Sequence, residues 1–459
     1  MRKFFLTLFC MTASAMSILG SELTAGLPFT NHMILQRGQP CPVWGTAPNN
    51  STVTVIFGKA KVKTKANNNG YWKVILPAQP ATFEGKSLRI ASGKERIELQ
   101  DVVVGEVWVA AGQSNMEYTM RLYKTFQKPY KGEDIAAIEL TKPANPNIRL
   151  YTCPNSAIGT SWAYAGGEAL AKASAPGYFF AKHLQDSLQV PVGIITTAVG
   201  GTTIEQWYAN GTWYKKKVEP YVPYAVKGFL WYQGENNCTK RERKYATKFR
   251  QMVNQWRTVY GVTDAPFLTV MLAPHIYTNR KHRAGLVDAE ELPRFRMQQM
   301  ECLDSVSHTE IIFNPDLVDD LTDIHHSYKW IVGQRLCTLA LNKVYGHNFL
   351  EWSGPRMQNV TLLKGGRGDS VLVSFSHVGE GLKGPKSGVI RWFEVAGADG
   401  VWHSAIAELA DRNHVRVYSY VVDHPMQIRY LWHETAVSTD LRNSLGLCAF
   451  PWKANIPRN

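Results

Sequence analysis

Gly105-Glu106-Val107-Trp108-Val109-Ala110-Ala111-Gly112-Gln113-Ser114-Asn115-Met116 decides the fold. The run from Glu106 to Ala111 is of strand length and shows no polar alternation. That is the pattern of a strand covered on both faces. It ends in Gly112, Gln113 and Ser114, a glycine where the backbone turns and then a residue type that starts helices. A strand turning sharply into a helix is the repeating unit of an α/β sheet. In such a turn the serine hydroxyl projects from the sheet edge, beside the N–H groups of the next helix.

The same texture continues downstream. Residues 191–198, 228–232 and 267–272 are further apolar runs, and residues 177–188 and 240–260 are helical stretches between them. A helix over 328–344 closes the unit. Strands alternating with helices predict a parallel sheet with helices on both faces, spanning residues 105–345. Upstream, residues 53–57, 61–64 and 71–76 are short β-branched or aromatic runs separated by the turn clusters Pro48–Ser51 and Asn67–Gly70. Their spacing predicts a small β-sandwich-like module over 21–104. Residues 370–375, 388–393 and 414–419 alternate at period two and predict a β-rich module over 346–459. Arg367-Gly368-Asp369 reads as part of a glycine-rich hairpin turn. The fold class is therefore α/β, a three-layer parallel-sheet unit between two β-rich modules.

Composition agrees. A chain of 459 residues is long enough for about three domains. With 45% hydrophobic and 19% charged residues it is an ordinary globular composition. The 14 Trp, 20 Tyr and 18 Phe call for large cores or flat binding platforms. A net charge of +14 suits acidic ligands. No run of five basic residues occurs, and the patches 240–244 and 280–283 are short, so nucleic acid is not an expected partner. Met1-Arg2-Lys3, the apolar Phe4–Met11 and the small residues Thr12–Ala15 read as a signal peptide within residues 1–20. The expected location is outside the cytoplasm, periplasmic or secreted, and no later stretch is apolar enough to span a membrane. Seven cysteines less Cys10 leave six, widely spaced and without a CxxC pair. Most of them read as isolated buried thiols, their spacing assigns no disulfide pairing, and there is no cysteine support for zinc.

Ligands of an open α/β sheet bind beyond the C-terminal ends of its strands. Ser114 follows the first central strand, and Gly200-Gly201-Thr202 follows the second, where a backbone N–H can meet an oxyanion. Gln233-Gly234-Glu235-Asn236 follows the third, and Gln233 carries amide donors. Asp323-Ile324-His325-His326 lies near the end of the unit. An acid two residues from a histidine can orient the imidazole, although Asp316, Asp319 and Asp320 compete for that role. Together these residues ask for a hydrolase with a serine nucleophile, a histidine base and an oxyanion hole.

The same blocks resemble the sialate O-acetylesterase family within the SGNH (GDSL-like) hydrolases. The resemblance rests on Gly105–Met116, on Gly200-Gly201-Thr202 with Glu205 and Trp207, on Trp231–Glu235, and on Asp323-Ile324-His325. The flanks Met33–Arg37, Pro42–Gly45, Phe393–Gly397 and Ile428–Trp432 extend it over nearly the whole chain. It implies hydrolysis of acetyl esters on sugar hydroxyls without a cofactor or metal. Ser114 is then the nucleophile, His325 the base and Asp323 its orienting acid. The oxyanion donors are Ser114 N–H, Gln233 and Gly201 N–H, with Gly200 as the neighbouring alternative. Arg121, Asn115 and Glu235 are candidate substrate contacts, and Arg121 suits a sialic acid carboxylate. The expected partner is an O-acetylated sialic acid; acetylated xylan is the rival, and a non-catalytic glycan binder is the alternative of another class. The chain departs from the family at His326, where proline is usual, at Asn236, where serine is common, and at Cys448, where proline is usual.

Overall fold

A computed structural model describes residues 22–124, 128–154, 160–278, 287–366, 368–437 and 440–457; the side chains of residues 123 and 124 are not described. The expected signal peptide, the patch at 280–283 and Arg367 lie outside the described residues.

Six parallel strands build the central sheet: β1 (Glu95–Gly112), β2 (Asn145–Thr152), β3 (Val192–Thr196), β4 (Gly228–Tyr232), β5 (Phe267–Val270) and β6 (Thr309–Ile312). Their order is β6-β5-β4-β1-β3-β2, and the short strand Ala163–Ala165 pairs antiparallel with β2. Every residue of β3, β4 and β5 is buried. Strands without an exposed side must be covered on both faces. The helices α1 (Ala175–Leu188) and α4 (Lys329–Lys343) pack together, as do α2 (Tyr245–Tyr260) and α3 (Glu291–Ser305). From β1 the chain builds outward to one side with β2 and β3, then to the other with β4, β5 and β6. The direction switches at β1, which opens a crevice at its C-terminal end.

β1 is 18 residues long because two sheets share it. Its first half pairs antiparallel with Thr82–Ser92 and parallel with Ile34–Gln36, and its second half enters the central sheet. The expected boundary at 104/105 therefore falls inside a strand. The hairpin Thr52–Phe57 and Ala60–Lys65 extends this part, and Cys41–Thr46 pairs separately with Tyr71–Leu76. Residues 356–455 form two four-stranded antiparallel sheets over a second core that includes Val371, Val373, Phe393, Val415 and Tyr430. The expected strand at 388–393 does not form; the strand is Phe393–Ala396. Gly388 and Trp392 adopt φ of 81° and 73°, in the left-handed region, which interrupts the regular extended run. The expected helix at 240–260 begins at Tyr245, after a short helix Glu235–Thr239 and a left-handed Arg241. The six cysteines after Cys10 are buried and unpaired, as expected.

Candidate active site

Ser114 opens a short helix, Ser114–Glu117, directly after β1. Gly112 makes this possible. Its φ is 130°, and a Cβ there would stand 2.2 Å from the Tyr232 carbonyl oxygen of β4. Only glycine lets the two strands pass so closely before the turn. Residues 211 apart in sequence then meet: His325 Nε2 lies 2.9 Å from Ser114 Oγ. The His325 side chain is 35% exposed, so the pair opens to solvent on one side.

Asp323 shapes the loop that carries His325. Its Oδ1 accepts the His325 backbone N–H at 2.8 Å and lies 3.8 Å from His325 Nδ1. The second distance is that of an ion pair, too long for a hydrogen bond. The competing acids are engaged elsewhere. Asp316 makes a two-point ion pair with Arg335, Asp319 accepts the Tyr130 N–H, and Asp320 accepts the Thr322 N–H. His326 does not share the place of His325 beside Ser114. It is buried, its Nε2 lies 3.0 Å from Tyr232 Oη, and burial followed by the charges of Lys329, His325 and Arg335 holds its pKa well below the usual value.

The loop after β3 lies against Ser114: a Cβ on Gly200 would stand 3.4 Å from Ser114 Cβ. Glu117 Oε2 accepts the Gly200 N–H at 2.6 Å, which separates the two glycines by role. Gly201 has a φ of 70°, and its carbonyl accepts from Asn236 Nδ2 at 2.6 Å. Among the described residues, no hydrogen bond engages the N–H of Ser114 or of Gly201. Gln233, expected as an oxyanion donor, is fully buried. Its amide nitrogen lies within hydrogen-bonding distance of Thr202 O at 3.0 Å, Asn237 Oδ1 at 2.8 Å and Gln113 Oε1 at 3.1 Å. Its oxygen accepts from Tyr245 Oη. It ties the loop after β3 to the turn after β4.

Two expected substrate contacts are corrected. Asn115 and Glu235 are 2% and 3% exposed, so neither is presented to a ligand. They face one another behind Ser114. Asn115 Nδ2 donates to Glu235 Oε1 at 2.6 Å and to the Ile324 carbonyl at 3.1 Å. Arg121 is exposed and paired with Glu168. Sequence reasoning missed Glu117, Asn236 and Lys329. Glu117 stands three residues after Ser114, one helical turn on, and that spacing was the available signal. Lys329 had none, because its importance comes from burial. Its Nζ donates to Asn115 Oδ1 at 2.6 Å. Burial pushes the lysine pKa down to about 7, against the opposing pull of Glu235 and Asp323.

Comparison with known proteins adds context to this geometry. Residues 104–337 match the family described as carbohydrate esterase, sialic acid-specific acetylesterase. The chain is 25% identical over 419 residues to the sialate O-acetylesterase of Pongo abelii, an alignment covering 75% of this chain and 77% of that protein. It is 24% identical over 414 residues to the sialate O-acetylesterase of Homo sapiens, with the same coverage of 75% and 77%. Among solved structures it is similar to a carbohydrate acetylesterase from Xanthomonas citri, with a TM-score of 0.83 and 31% identity over 94% of this chain and 99% of that one.

Proposed function

Because the chain belongs to the sialic acid-specific acetylesterase family of carbohydrate esterases, we propose that it removes acetyl groups from sugar hydroxyls by a serine mechanism. The observation that carries this is the 2.9 Å approach of His325 Nε2 to Ser114 Oγ at the crevice beyond β1. Ser114 is the nucleophile, His325 the general base and Asp323 the acid that orients it.

His325 Nε2 takes the Ser114 hydroxyl proton as Oγ attacks the acetyl carbonyl. The carbonyl π electrons move onto oxygen, and the N–H groups of Ser114 and Gly201 receive that charge. Gly201 is chosen over Gly200 because the Gly200 N–H already donates to Glu117. Gln233 supports the hole through Thr202 and is not a direct donor. The tetrahedral intermediate collapses, the C–O bond to the sugar breaks, and the imidazolium returns its proton to the sugar oxygen. Water then gives a proton to His325 and attacks the acetyl-serine. Acetate leaves and Ser114 recovers its proton. Asp323 stabilises the imidazolium in both halves by charge, at ion-pair distance.

The substrate we assign is an O-acetylated sialic acid, in keeping with the family and with the names of its relatives. One observation favours a second reading, a neutral acetylated glycan such as xylan: Arg121, the cation suited to the sialate carboxylate, is already paired with Glu168. Acetate release from O-acetylated sialic acid and from acetylated xylan, by the wild type and by Ser114→Ala, separates the two. We expect release from sialic acid, with kcat reduced by a factor on the order of 10⁴ or more in the variant. Release mainly from xylan would keep the mechanism and discard the sialate assignment. Full activity in Ser114→Ala would overturn the mechanism. The leader read at residues 1–20 makes the enzyme an exported one, and the N-terminal sequence of the mature protein checks this: an intact Met1 would refute it.

A further inference from the structure

Lys329 begins α4 and is 0% exposed, directly behind the Ser114–His325 pair. A buried ammonium is an expensive residue to fold around, and a methionine of similar length would fill the space without that cost. What the lysine adds is charge and three N–H donors. Its Nζ reaches Asn115 Oδ1 at 2.6 Å. Asn115, the residue after the nucleophile, spends its own amide on Glu235 Oε1 and on the carbonyl of Ile324, which lies between Asp323 and His325. One side chain thus joins the nucleophile turn, the helix after β4 and the base loop. Two rings flank the ammonium: its nitrogen stands 5.1 Å from the Tyr118 centroid and 5.7 Å from that of Tyr232. Tyr118 faces the His325 ring at 6.4 Å, and the Tyr232 hydroxyl lies 3.0 Å from His326 Nε2.

We propose that Lys329 is a positioning residue for the esterase reaction, its ammonium locking Asn115 so that the base loop and the nucleophile turn hold Ser114 Oγ and His325 Nε2 in register. The inference rests on the assignment of Ser114 and His325 above. The groups around Nζ are the carboxylates of Glu235 and Asp323, which favour its charged form against the effect of burial, and the imidazoles of His325 and His326. Arg335 and Arg296 act from further out on His326 and Tyr232. Lys329 touches no substrate. It acts through Asn115, and removing it lets the Ile324 carbonyl drift and the reacting pair fall out of line.

The test compares Lys329→Met with Lys329→Met/Glu235→Gln. The single variant leaves a buried carboxylate without its counter-charge and is expected to melt early; the double variant removes both charges and regains stability. Each is measured by thermal melting, by kcat and KM on p-nitrophenyl acetate, and by fluorophosphonate labelling of Ser114. The expected result is a stable double variant whose kcat and labelling rate stay about tenfold to a hundredfold below wild type, with KM within about twofold. A double variant that recovers wild-type kcat together with its stability would make Lys329 merely structural and overturn the proposal. If neither variant melts cooperatively, Asn115→Asp decides. Combined with Glu235→Gln, which spares the new carboxylate a like-charged neighbour, it keeps the shape and the acceptor for Lys329 but loses the N–H to Ile324, so kcat equal to that of Glu235→Gln alone overturns the proposal and a further loss of about tenfold or more supports it. A wild type that is neither active nor labelled at Ser114 would instead refute the Ser114–His325 assignment, and this inference with it.

Discussion

The two β-rich parts of the molecule attach to the central sheet in different ways. Upstream, attachment is by continuity. β1 runs unbroken from one sheet into the other, Ile34 pairs with Val103, and Met33, Ile34, Val53 and Val55 belong to the same hydrophobic core as Val107, Trp108 and Phe229. Buried polar groups reinforce it: Gln36 Oε1 accepts the Val107 N–H at 2.8 Å while its amide reaches Glu106. Downstream, attachment is by docking. The C-terminal sheets have their own core, which among the described residues includes from the central unit Met271, Ile311 and Phe313 as buried members. Polar contacts reinforce that joint: Arg429 bridges Glu290 and Glu394, Trp432 donates to Glu290, and Arg356 pairs with Glu310. Shared strands cannot be parted without losing ladder and core together, whereas docked sheets can.

The largest expected effect is therefore an asymmetry between truncations. Deleting residues 22–94 strips β1 of both upstream partners, and no soluble folded protein is expected. Deleting residues 346–459 leaves the central sheet paired, and a soluble protein with native-like circular dichroism is expected, at reduced activity. Equal behaviour of the two deletions would erase the distinction. Point substitutions sharpen it. Ile34→Ala and Val415→Ala each remove a fully buried side chain, at a cost of about 2–5 kcal/mol for the isoleucine and somewhat less for the valine. In differential scanning calorimetry Ile34→Ala is expected to lower the transition that abolishes activity. Val415→Ala lowers a transition of the C-terminal sheets and leaves the main one in place.

The same contrast explains what could be read in advance. Strand–turn–helix texture is local, so β1, β3, β4 and β5 and the serine after β1 were legible. β2 was not, because Asn145–Thr152 mixes Asn, Pro and Arg, and its buried Arg149 is satisfied by partners distant in sequence, Asp101 and the His32 carbonyl, beside the local Pro146 carbonyl. Helix α3 was hidden by low apolar content, its buried Glu291 and Arg296 being held by partners far along the chain. At the candidate site, Ser114 and His325 followed from strand ends and motif blocks. The depth of their neighbours did not: Asn115 and Glu235 look like any polar residues at a strand end, and only the fold shows that they are buried behind Ser114. The shared strand was equally invisible, since apolar pattern marks where a strand lies and not which sheets it joins.

A smaller effect tests whether the docked part reaches the chemistry. Glu434 is buried and accepts the N–H groups of Tyr277 at 2.7 Å and Thr278 at 3.1 Å, and the Thr278 hydroxyl. Its own N–H donates to Ala289 O at 2.8 Å. The segment it holds donates from Ile276 N–H to Leu321 O, two residues before Asp323. Glu434→Gln keeps the shape but trades charged hydrogen bonds for neutral ones, which are about half as strong. A fall in kcat of up to about tenfold is expected, with KM and the main melting transition little changed. Unchanged kcat would confine the C-terminal sheets to a supporting role.

The smallest effect concerns the polar seam on the continuous side. The Asp101 carboxylate of β1 receives Arg149 at 2.6 Å and Tyr164 at 2.7 Å and lies 2.8 Å from His32 Nδ1. Burial alone would raise its pKa; the hydrogen bonds from Arg149, His32 and Tyr164 outweigh it and hold the carboxyl well below the usual carboxylate range. A depressed folded-state value means that the stabilisation is fully present above the unfolded value of about 3.9 and is lost as pH falls from there through the folded value. Asp101→Asn removes that term. Wild type is therefore expected to melt above the variant at pH 7 and pH 5, with the gap closing as pH is taken below about 4. The gap closes because the wild type falls toward the variant. A gap that stays constant down to pH 3 would show that Asp101 acts here by shape and not by charge, and that the upstream joint owes its strength to the shared strand alone.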